Sequence, residues 1–316
     1  MNSIFNTAKA KMATRTGGRP PAAVEVTPEG VVAAALPALG EPVYAFAALP
    51  AAALVPSLES NGDAPNLRQP EVVAEAIRTA LDEVGPRKHA VTLVLPDTLV
   101  RVFVLDFDSL PTKAAEAIPV LRFRLRKMVP FDVEHAGVSY QVLSQNVDQT
   151  RVLAAILPGA ILAEYEGAVR AAGYEPGAVL PSSLAALEAI DSMEAVLMAN
   201  LSRQALTTTI ANGQDLLLYR PLDLPEDPAE RAGEIQSGIA VAAAYYEDKL
   251  QVRPQRLFYT GSIGAEEFAR LLDDPELEVV ELAPRPESGA MTTLGAASIA
   301  AVTGALALHP SQAVAR

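Results

Sequence analysis

The sequence predicts an α/β protein made of two lobes. Two groups of three short apolar strands occur along the chain, and helices follow each group, so one arrangement is repeated in both halves. The chain has 316 residues, of which 50% are hydrophobic and 20% are charged. A chain of this length and composition can bury two separate cores, which supports the prediction of two lobes.

The first half opens with a predicted strand pair within 22–36. The pair surrounds Thr27-Pro28-Glu29-Gly30, which has Pro early and Gly last, as tight turns do. Apolar residues at helical spacing predict a helix at 71–84, and Gly85-Pro86 ends it. Pro119 has no amide proton and must lie in the first turn of its helix or bend it. The other predicted elements of this half are strands at 43–49, 89–96, 100–107, 138–143 and 151–157, and helices at 113–128 and 160–172.

The second half repeats this pattern. A short helix is predicted at 182–190, and Asn212-Gly213 is the strongest hairpin signal in the chain. The remaining predicted elements are strands at 195–201, 206–211, 216–221, 256–260 and 277–282, and helices at 230–249, 265–272 and, rich in alanine, 294–308.

Residue content excludes several kinds of site. The chain has no cysteine, which rules out disulfides, thiolate metal sites and cysteine nucleophiles. His89, His135 and His309 are far apart and show no metal-ligand spacing. Neither a Walker-type loop nor a Gly-x-Ser-x-Gly motif occurs. The net charge of −13 disfavours binding to nucleic acid and to bulk anionic membrane, because the charges repel.

The beginning of the chain, residues 1–21, is predicted to be a disordered basic arm. Its alternative role is a weak electrostatic contact with the inner membrane surface. The segment 294–308 is shorter than the ~20 apolar residues that cross a bilayer, so we expect membrane attachment only through a partner. The arm has no acid up to residue 20, and its basic residues are Lys9, Lys11, Arg15 and Arg19.

A series of short segments resembles a known family. Their order and spacing are similar to those of the PilM family of type IV pilus assembly proteins. The resemblance is strongest over 90–160 and extends across 22–308. The segments that carry it are Leu93-Val94-Leu95-Pro96-Asp97, Arg101-Val102-Phe103-Val104-Leu105, Leu110-Pro111, Arg124 to Pro130-Phe131, and Val138-Ser139-Tyr140-Gln141-Val142-Leu143.

This resemblance implies a fold and a role. The fold is the actin-like ATPase (ribonuclease H-like) fold, with two lobes and a small α/β subdomain inserted in the first. The role is that of a cytoplasmic scaffold, peripheral to the inner membrane, that binds the cytoplasmic tail of a PilN-like membrane protein. PilO and the pilus motor ATPases belong to the same platform, and a homo-oligomer is left open. The implied ranges are 22–192 for the first lobe, about 109–178 for the inserted subdomain, 193–308 for the second lobe and 309–316 for a tail.

The resemblance also marks where a nucleotide would bind. In actin-like ATPases, two hairpins each supply an acid for Mg²⁺ and a glycine that lets the backbone approach the phosphates. In the first hairpin here, Glu25 keeps the acid, but Thr27 stands at the glycine position. Pro28 removes a backbone donor, and Glu29 places negative charge near the phosphate position.

The second hairpin departs further from the family pattern. Asn200 replaces the acid and Ser202 replaces the glycine. Gly261 and Gly264 keep the glycine pair of the adenosine loop, although an ordinary strand-to-helix turn also explains them. We therefore predict a degenerate site with no catalytic residue, metal or cofactor. Binding of ATP with Mg²⁺ at Glu25, Thr27, Asn200, Ser202, Gly261 and Gly264 is the alternative.

The partner site follows from the same resemblance. In the family, the PilN tail lies extended in a groove between the first lobe and the inserted subdomain. Arg122 and Arg126 could pair with carboxylates or carbonyl groups of the tail. Leu110, Pro130 and Phe131 could supply apolar contacts. The alternative is that the arginines only solubilise a helix of an acidic protein.

Two other functions remain open. One is an active actin-like ATPase or a sugar-kinase relative with altered motifs. The other is a GspL-like cytoplasmic component of type II secretion, although that family is normally continuous with a transmembrane helix and this sequence predicts none.

Overall fold

The computed structural model describes residues 19–38, 41–59, 64–192, 194–213, 215–283 and 298–306. Most of the predicted basic arm, the first part of the predicted alanine-rich helix and the predicted tail lie outside these ranges. Within them, the chain forms two five-stranded sheets and one three-stranded sheet, with helices packed on them. The arrangement confirms the prediction of a two-lobed α/β protein.

The elements follow one another in close agreement with the sequence pattern. The strands are β1 (Ala22–Thr27), β2 (Gly30–Ala35), β3 (Val43–Ala48), β4 (Ala90–Leu95), β5 (Arg101–Phe107), β6 (Gly137–Gln145), β7 (Thr150–Leu157), β8 (Glu175–Pro181), β9 (Val196–Leu201), β10 (Ala205–Asn212), β11 (Asp215–Asp223), β12 (Arg256–Gly261) and β13 (Glu278–Glu281). The helices are α1 (Pro70–Val84), α2 (Ala114–Leu125), α3 (Gly159–Ala171), α4 (Ser182–Leu187), α5 (Pro228–Leu250), α6 (Ala265–Leu272) and α7 (Ala300–Leu306). A short 3-10 turn, Asp97–Leu99, follows β4.

The first lobe is built on the sheet β3-β2-β1-β4-β8, in which β1, β4 and β8 run parallel. Every residue of β2 is buried, as expected of a strand covered on both faces. Val73, Ile77 and Leu81 lie on one face of α1 and are buried in this core. Helices α4 and α7 pack so closely that a Cβ on Gly304 would lie 1.9 Å from the carbonyl oxygen of Ala185.

The second lobe is built on the sheet β11-β10-β9-β12-β13. Asp227 caps the N-terminus of helix α5, and its side chain accepts hydrogen bonds from the amides of Ala229 and Glu230. Ile235 and Ile239 of α5 are buried in a core with Leu206 and Ile210 of β10. Because β9 and β12 are parallel, their carboxyl ends lie at the same edge of the sheet.

A small subdomain, β5-β7-β6 with α2, has a core of its own that includes Leu105, Leu121 and Ile156. Its strands span 101–157, whereas the family resemblance implied a range of about 109–178. The difference arises because β5 pairs with β7, so the small sheet begins earlier. The later part, α3 and β8, is buried in the first-lobe core instead.

Two local features differ from the sequence analysis. Strand β8 was not predicted, because Pro176 and Gly177 are residues that weaken strand signals. Arg19 was assigned to a disordered arm, but its side chain is buried against the first lobe. It forms an ion pair with Glu188 at 3.6 Å and donates a hydrogen bond to the Gly304 carbonyl at 3.1 Å.

None of the helices among the described residues has the length and apolar character needed to span a bilayer.

Candidate functional site

A cavity of about 210 Å³ lies between the two lobes. The turn between β1 and β2 lines it from one lobe, and the turn between β9 and β10 lines it from the other. The predicted nucleotide-site residues Glu25, Thr27, Asn200, Ser202 and Gly261 all lie on its walls. They meet because the carboxyl ends of parallel strands gather at one edge of each sheet, where α/β folds bind ligands. Gly264 lies outside the lining.

Asp97 is the centre of the polar contacts at this cavity, and the sequence analysis did not identify it as a site residue. It follows β4 directly and is only 6% exposed. Its carboxylate accepts hydrogen bonds from the Ser183 amide at 2.9 Å, the Tyr219 hydroxyl at 2.8 Å and the Asn200 side-chain nitrogen at 3.1 Å. The Ser183 hydroxyl donates a further bond. Asn200 and Tyr219 belong to the second lobe, so Asp97 joins the two lobes.

A second carboxyl group, Glu25, extends the same network. The Ser182 hydroxyl donates to Oε1 of Glu25 at 2.6 Å. Nδ2 of Asn200 lies 3.1 Å from Oγ of Ser182 and 3.2 Å from Oγ of Ser183. The contacts from Glu25 through Ser182 and Asn200 to Asp97 form a continuous chain, which we call the interlobe network together with Ser183 and Tyr219.

Burial controls the acidity of these carboxyl groups. It raises the pKa of Glu25 to about 7, against the hydrogen bond from Ser182, and the nearby Asp97 and Glu29 add to the rise. Burial also raises the pKa of Asp97, although the hydrogen bonds from Ser183, Tyr219 and Thr207 oppose the shift. Burial and the charge of Asp97 raise the pKa of Tyr219, so it remains a hydrogen-bond donor.

The two hairpin turns use their own amides. In the first turn, the Gly30 amide donates to Oγ1 of Thr27 at 3.3 Å. In the second, the amides of Gln204 and Ala205 donate to Oγ of Ser202 at 3.3 and 3.0 Å. The Ser202 amide donates to the Ala205 carbonyl at 2.9 Å. The side chains of Thr27 and Ser202 therefore accept hydrogen bonds from the backbone amides of their own turns.

Gly261 has a packing role in this structure. A Cβ at this position would lie 2.6 Å from the Leu201 carbonyl oxygen and 2.5 Å from the Tyr259 hydroxyl. The close approach of β12 to β9 thus requires glycine whether or not a nucleotide binds. Gly264 precedes α6 with a φ of −71°, which other residues adopt equally well.

The residues that the sequence analysis missed do carry a signal. Asp97 is an acid placed directly after a strand that reads as buried on both faces, and such positions meet at the edge where α/β proteins bind ligands. Ser182 and Ser183 follow β8 in the same way, but this strand was not predicted. Tyr219 lies within a predicted strand, and only the packing of the lobes brings it to Asp97.

The predicted partner-binding residues are distributed over the small subdomain. Leu110 is buried in its core and Phe131 is half-buried against that core. Arg122 donates to the carbonyl oxygens of Glu134 and Ala136 at 3.1 and 2.8 Å. Arg126 and Pro130 are exposed, and Arg126 forms an ion pair with Glu134.

Within the described part of the chain, no group of three or more His, Asp or Glu side chains is placed to hold a metal ion.

The comparisons with known proteins rest on structure. No model of a protein family matches the chain, and no curated protein matches it. A chain of the solved PilM-PilN type IV pilus biogenesis complex is 18% identical, with a TM-score of 0.64 over 90% of this chain and 97% of that one.

Two further structures are similar over most of their length. A Bacteroides thetaiotaomicron protein described as having an actin-like ATPase fold and unknown function is 10% identical, with a TM-score of 0.51 over 90% of this chain and 94% of that one. The cytoplasmic domain of EpsL, from the type II secretion system of Vibrio cholerae, is 14% identical, with a TM-score of 0.49 over 90% and 92%. The likeness to the PilM-PilN chain and to the Bacteroides thetaiotaomicron protein shows that the chain has the actin-like ATPase fold, as the resemblance to PilM implied.

Proposed function

We propose that this protein is an actin-like scaffold of a type IV pilus assembly platform, one that holds the cytoplasmic tail of a PilN-like membrane protein and does not hydrolyse ATP. The observation that carries the second half of the proposal is the interlobe network, which uses the polar groups of the cleft for contacts between the lobes. The likeness to a chain of a PilM-PilN complex supports the first half.

The residues of the cleft do not fit a magnesium-bound triphosphate. Mg²⁺ takes oxygen ligands in a near-ideal octahedron and favours carboxylates. The second hairpin offers the amide of Asn200, whose nitrogen points to Asp97, and Asp97 already accepts bonds from three residues. Glu29 lies on the cavity wall within the first turn and would repel a phosphate. A cavity of about 210 Å³ is also below the ~300–1,000 Å³ of typical ligand pockets.

A scaffold without hydrolysis must work through its surface. In this proposal the small subdomain supplies that surface. It has a core of its own, so it presents its outer side chains on an independently packed unit. Among the residues that we propose bind the PilN-like tail, Arg126 and Pro130 are exposed. Arg126 can exchange its ion pair with Glu134 for one with a carboxylate of the tail at little cost in free energy. Phe131 lies beside them, half-buried. PilO and the motor ATPases are further partners in the proposed platform, on the cytoplasmic side of the inner membrane.

The test is a calorimetric titration of the full chain with a synthetic peptide of the cytoplasmic tail of a PilN-like protein from the same genome. We expect the tail to bind equally well with and without ATP and Mg²⁺, and phosphate release to stay at the level of buffer. Arg126→Glu should weaken binding about tenfold. Arg253→Glu is the matched control, since Arg253 is equally exposed and forms an ion pair with Glu276 in the second lobe.

Two results would contradict the proposal in different ways. A tail that does not bind at millimolar concentration would remove the scaffold role. Phosphate release that depends on the protein would instead establish the active-ATPase alternative. Equal loss of affinity in both arginine variants would remove the tail-binding assignment of Arg126 alone.

A further inference from the structure

The interlobe cavity retains free space that the interlobe network does not fill. Its walls are mainly apolar: Val32, Phe46 and Pro56 come from the first lobe, and Leu201 and Ala205 come from the second. An engineered apolar cavity of about 150 Å³ binds benzene, so about 210 Å³ accommodates one ring with a short substituent. The size and the lining therefore suit a compact apolar ligand.

The charges around this space favour a cation. Glu25 and Glu29 both lie on the cavity wall, and Glu25 is 7% exposed. Among the described residues of the lining, Arg203 is the one cation, and it is exposed to solvent. The neutral donors of the cleft, Ser182 and Asn200, already bond to protein groups. A ligand with a positive group meets carboxylates here, whereas an anion meets repulsion.

We propose that the interlobe cavity binds a small apolar amine, a ligand with one hydrocarbon ring or chain and one ammonium group. The ammonium group pairs with Glu25, and the hydrocarbon part packs against Phe46, Val32 and Leu201. The ligand contacts both lobes, so it stabilises their arrangement against unfolding. This site goes beyond the proposed scaffold role and stands or fails independently of tail binding.

The first test uses the unaltered protein and three probes of one shape: benzylamine, benzyl alcohol and benzoate. Calorimetry at about pH 8 should give benzylamine at least tenfold higher affinity than benzyl alcohol, because the ammonium group adds a charged contact. Benzoate should not bind detectably. ATP with Mg²⁺ should not displace benzylamine.

A pH series on the same protein adds a second readout. Glu25 has a pKa of about 7, so about nine-tenths of it is charged at about pH 8 and about one-tenth at about pH 6. Benzylamine affinity should therefore fall about tenfold over this interval, while the affinity for benzyl alcohol stays constant. The other charged groups at the cavity are Asp97, Glu29 and Arg203. The carboxylate of Asp97 already accepts hydrogen bonds from the Ser183 amide and the Tyr219 hydroxyl, so it is not the proposed partner of the ammonium group.

Two variants assign the effect. Glu25→Gln should lower benzylamine affinity about tenfold and remove its pH dependence, while Glu71→Gln, an exposed acid on α1, should leave both unchanged. Circular dichroism confirms that each variant is folded. Equal affinity for the three probes, no benzylamine binding at millimolar concentration, or a pH dependence that survives in Glu25→Gln would overturn the proposal.

Discussion

The interlobe cleft and the outer face of the small subdomain use their side chains in opposite ways. In the cleft, buried carboxyl and hydroxyl groups bond to one another across the lobes, with Asp97 as the acceptor of several donors. On the subdomain, Phe123 in the last turn of α2 is 73% exposed. Arg124 and Lys127 beside it are exposed and, within the described part of the chain, form no ion pair.

This contrast separates the region that stabilises the fold from the region whose side chains are available to a partner. Polar groups that face inward and are satisfied stabilise a structure, whereas apolar and cationic groups that face solvent are available to partners. The hydrogen bonds across the cleft contribute to the stability of the fold. Loss of a shared hydrogen-bond acceptor from the cleft should therefore cost stability, whereas changes at the exposed Phe123, Arg124 and Lys127 should not.

The largest effect is expected from Asp97→Ala. The change leaves Ser183, Asn200 and Tyr219 without their shared acceptor in a buried site. We expect the free energy of unfolding to fall by about 3–5 kcal/mol, measured by urea denaturation. Asp108→Ala, an exposed aspartate after β5, is the control and should change stability by less than about 0.5 kcal/mol. A loss in Asp97→Ala no larger than in the control would mean that the cleft does not join the lobes.

The next effect concerns pH and Glu25. Between its ordinary pKa of 4.5 and its raised pKa of about 7, the folded chain holds a proton that the unfolded chain has released. The contribution of Glu25 to stability is therefore complete below about pH 4.5 and is lost as the pH rises to about 7. Glu25→Gln should remove this loss and stabilise the protein at about pH 8 by up to roughly 3 kcal/mol relative to the unaltered chain.

The measurement is urea denaturation of both proteins at about pH 5 and pH 8, since other groups that titrate contribute equally to the two. A stability difference between them that stays constant over this range would show that Glu25 is already charged in the folded state.

A smaller effect is expected from Arg122→Ala. The guanidinium group holds two carbonyl oxygens of the segment 134–136, at a half-buried position. Its loss should lower the unfolding free energy by about 1–2 kcal/mol. Hydrogen exchange should show faster exchange within this segment and little change in the lobes. No change in stability would mean that the side chain is free for a partner, as the sequence analysis proposed.

The smallest effect is expected from Phe123→Ser. A side chain that is 73% exposed contributes little to the core, so the melting temperature should stay within about 1 °C. The outer face of α2 can then be altered in binding experiments without a folding contribution. A large drop in melting temperature would show that this face is covered in solution, for example by a second copy of the chain.

Sequence patterns predicted the architecture because each element obeys local rules. The helix at α1 shows apolar spacing and a glycine stop, and the hairpin β1–β2 shows a turn signature. Strand β8 escaped prediction because its burial comes from pairing with β4, which outweighs the unfavourable Pro176 and Gly177. Tertiary pairing of this kind leaves no local signal.

The candidate site was predictable only in part. Positions that the resemblance to the family marked, such as Asn200 and Thr27, can be recognised in the sequence, and the structure places them on one cavity. The hydrogen-bond partners of these residues cannot be predicted from the sequence in the same way. The bonds from Asn200 and Tyr219 to Asp97 join positions more than 100 residues apart, and they depend on how the lobes pack. Local sequence carries no information on such contacts.

The close fit of α7 against α4 has a consequence for biosynthesis. Helix α7 follows the second lobe in the chain, yet Val302 and Ala305 are buried in the core of the first lobe. The sheet of β1 to β4 leaves the ribosome early, but one of its covering helices emerges only after the second lobe has been synthesised. The first lobe cannot complete its folding before the second lobe has been synthesised, because its apolar strands remain partly uncovered until α7 packs on them.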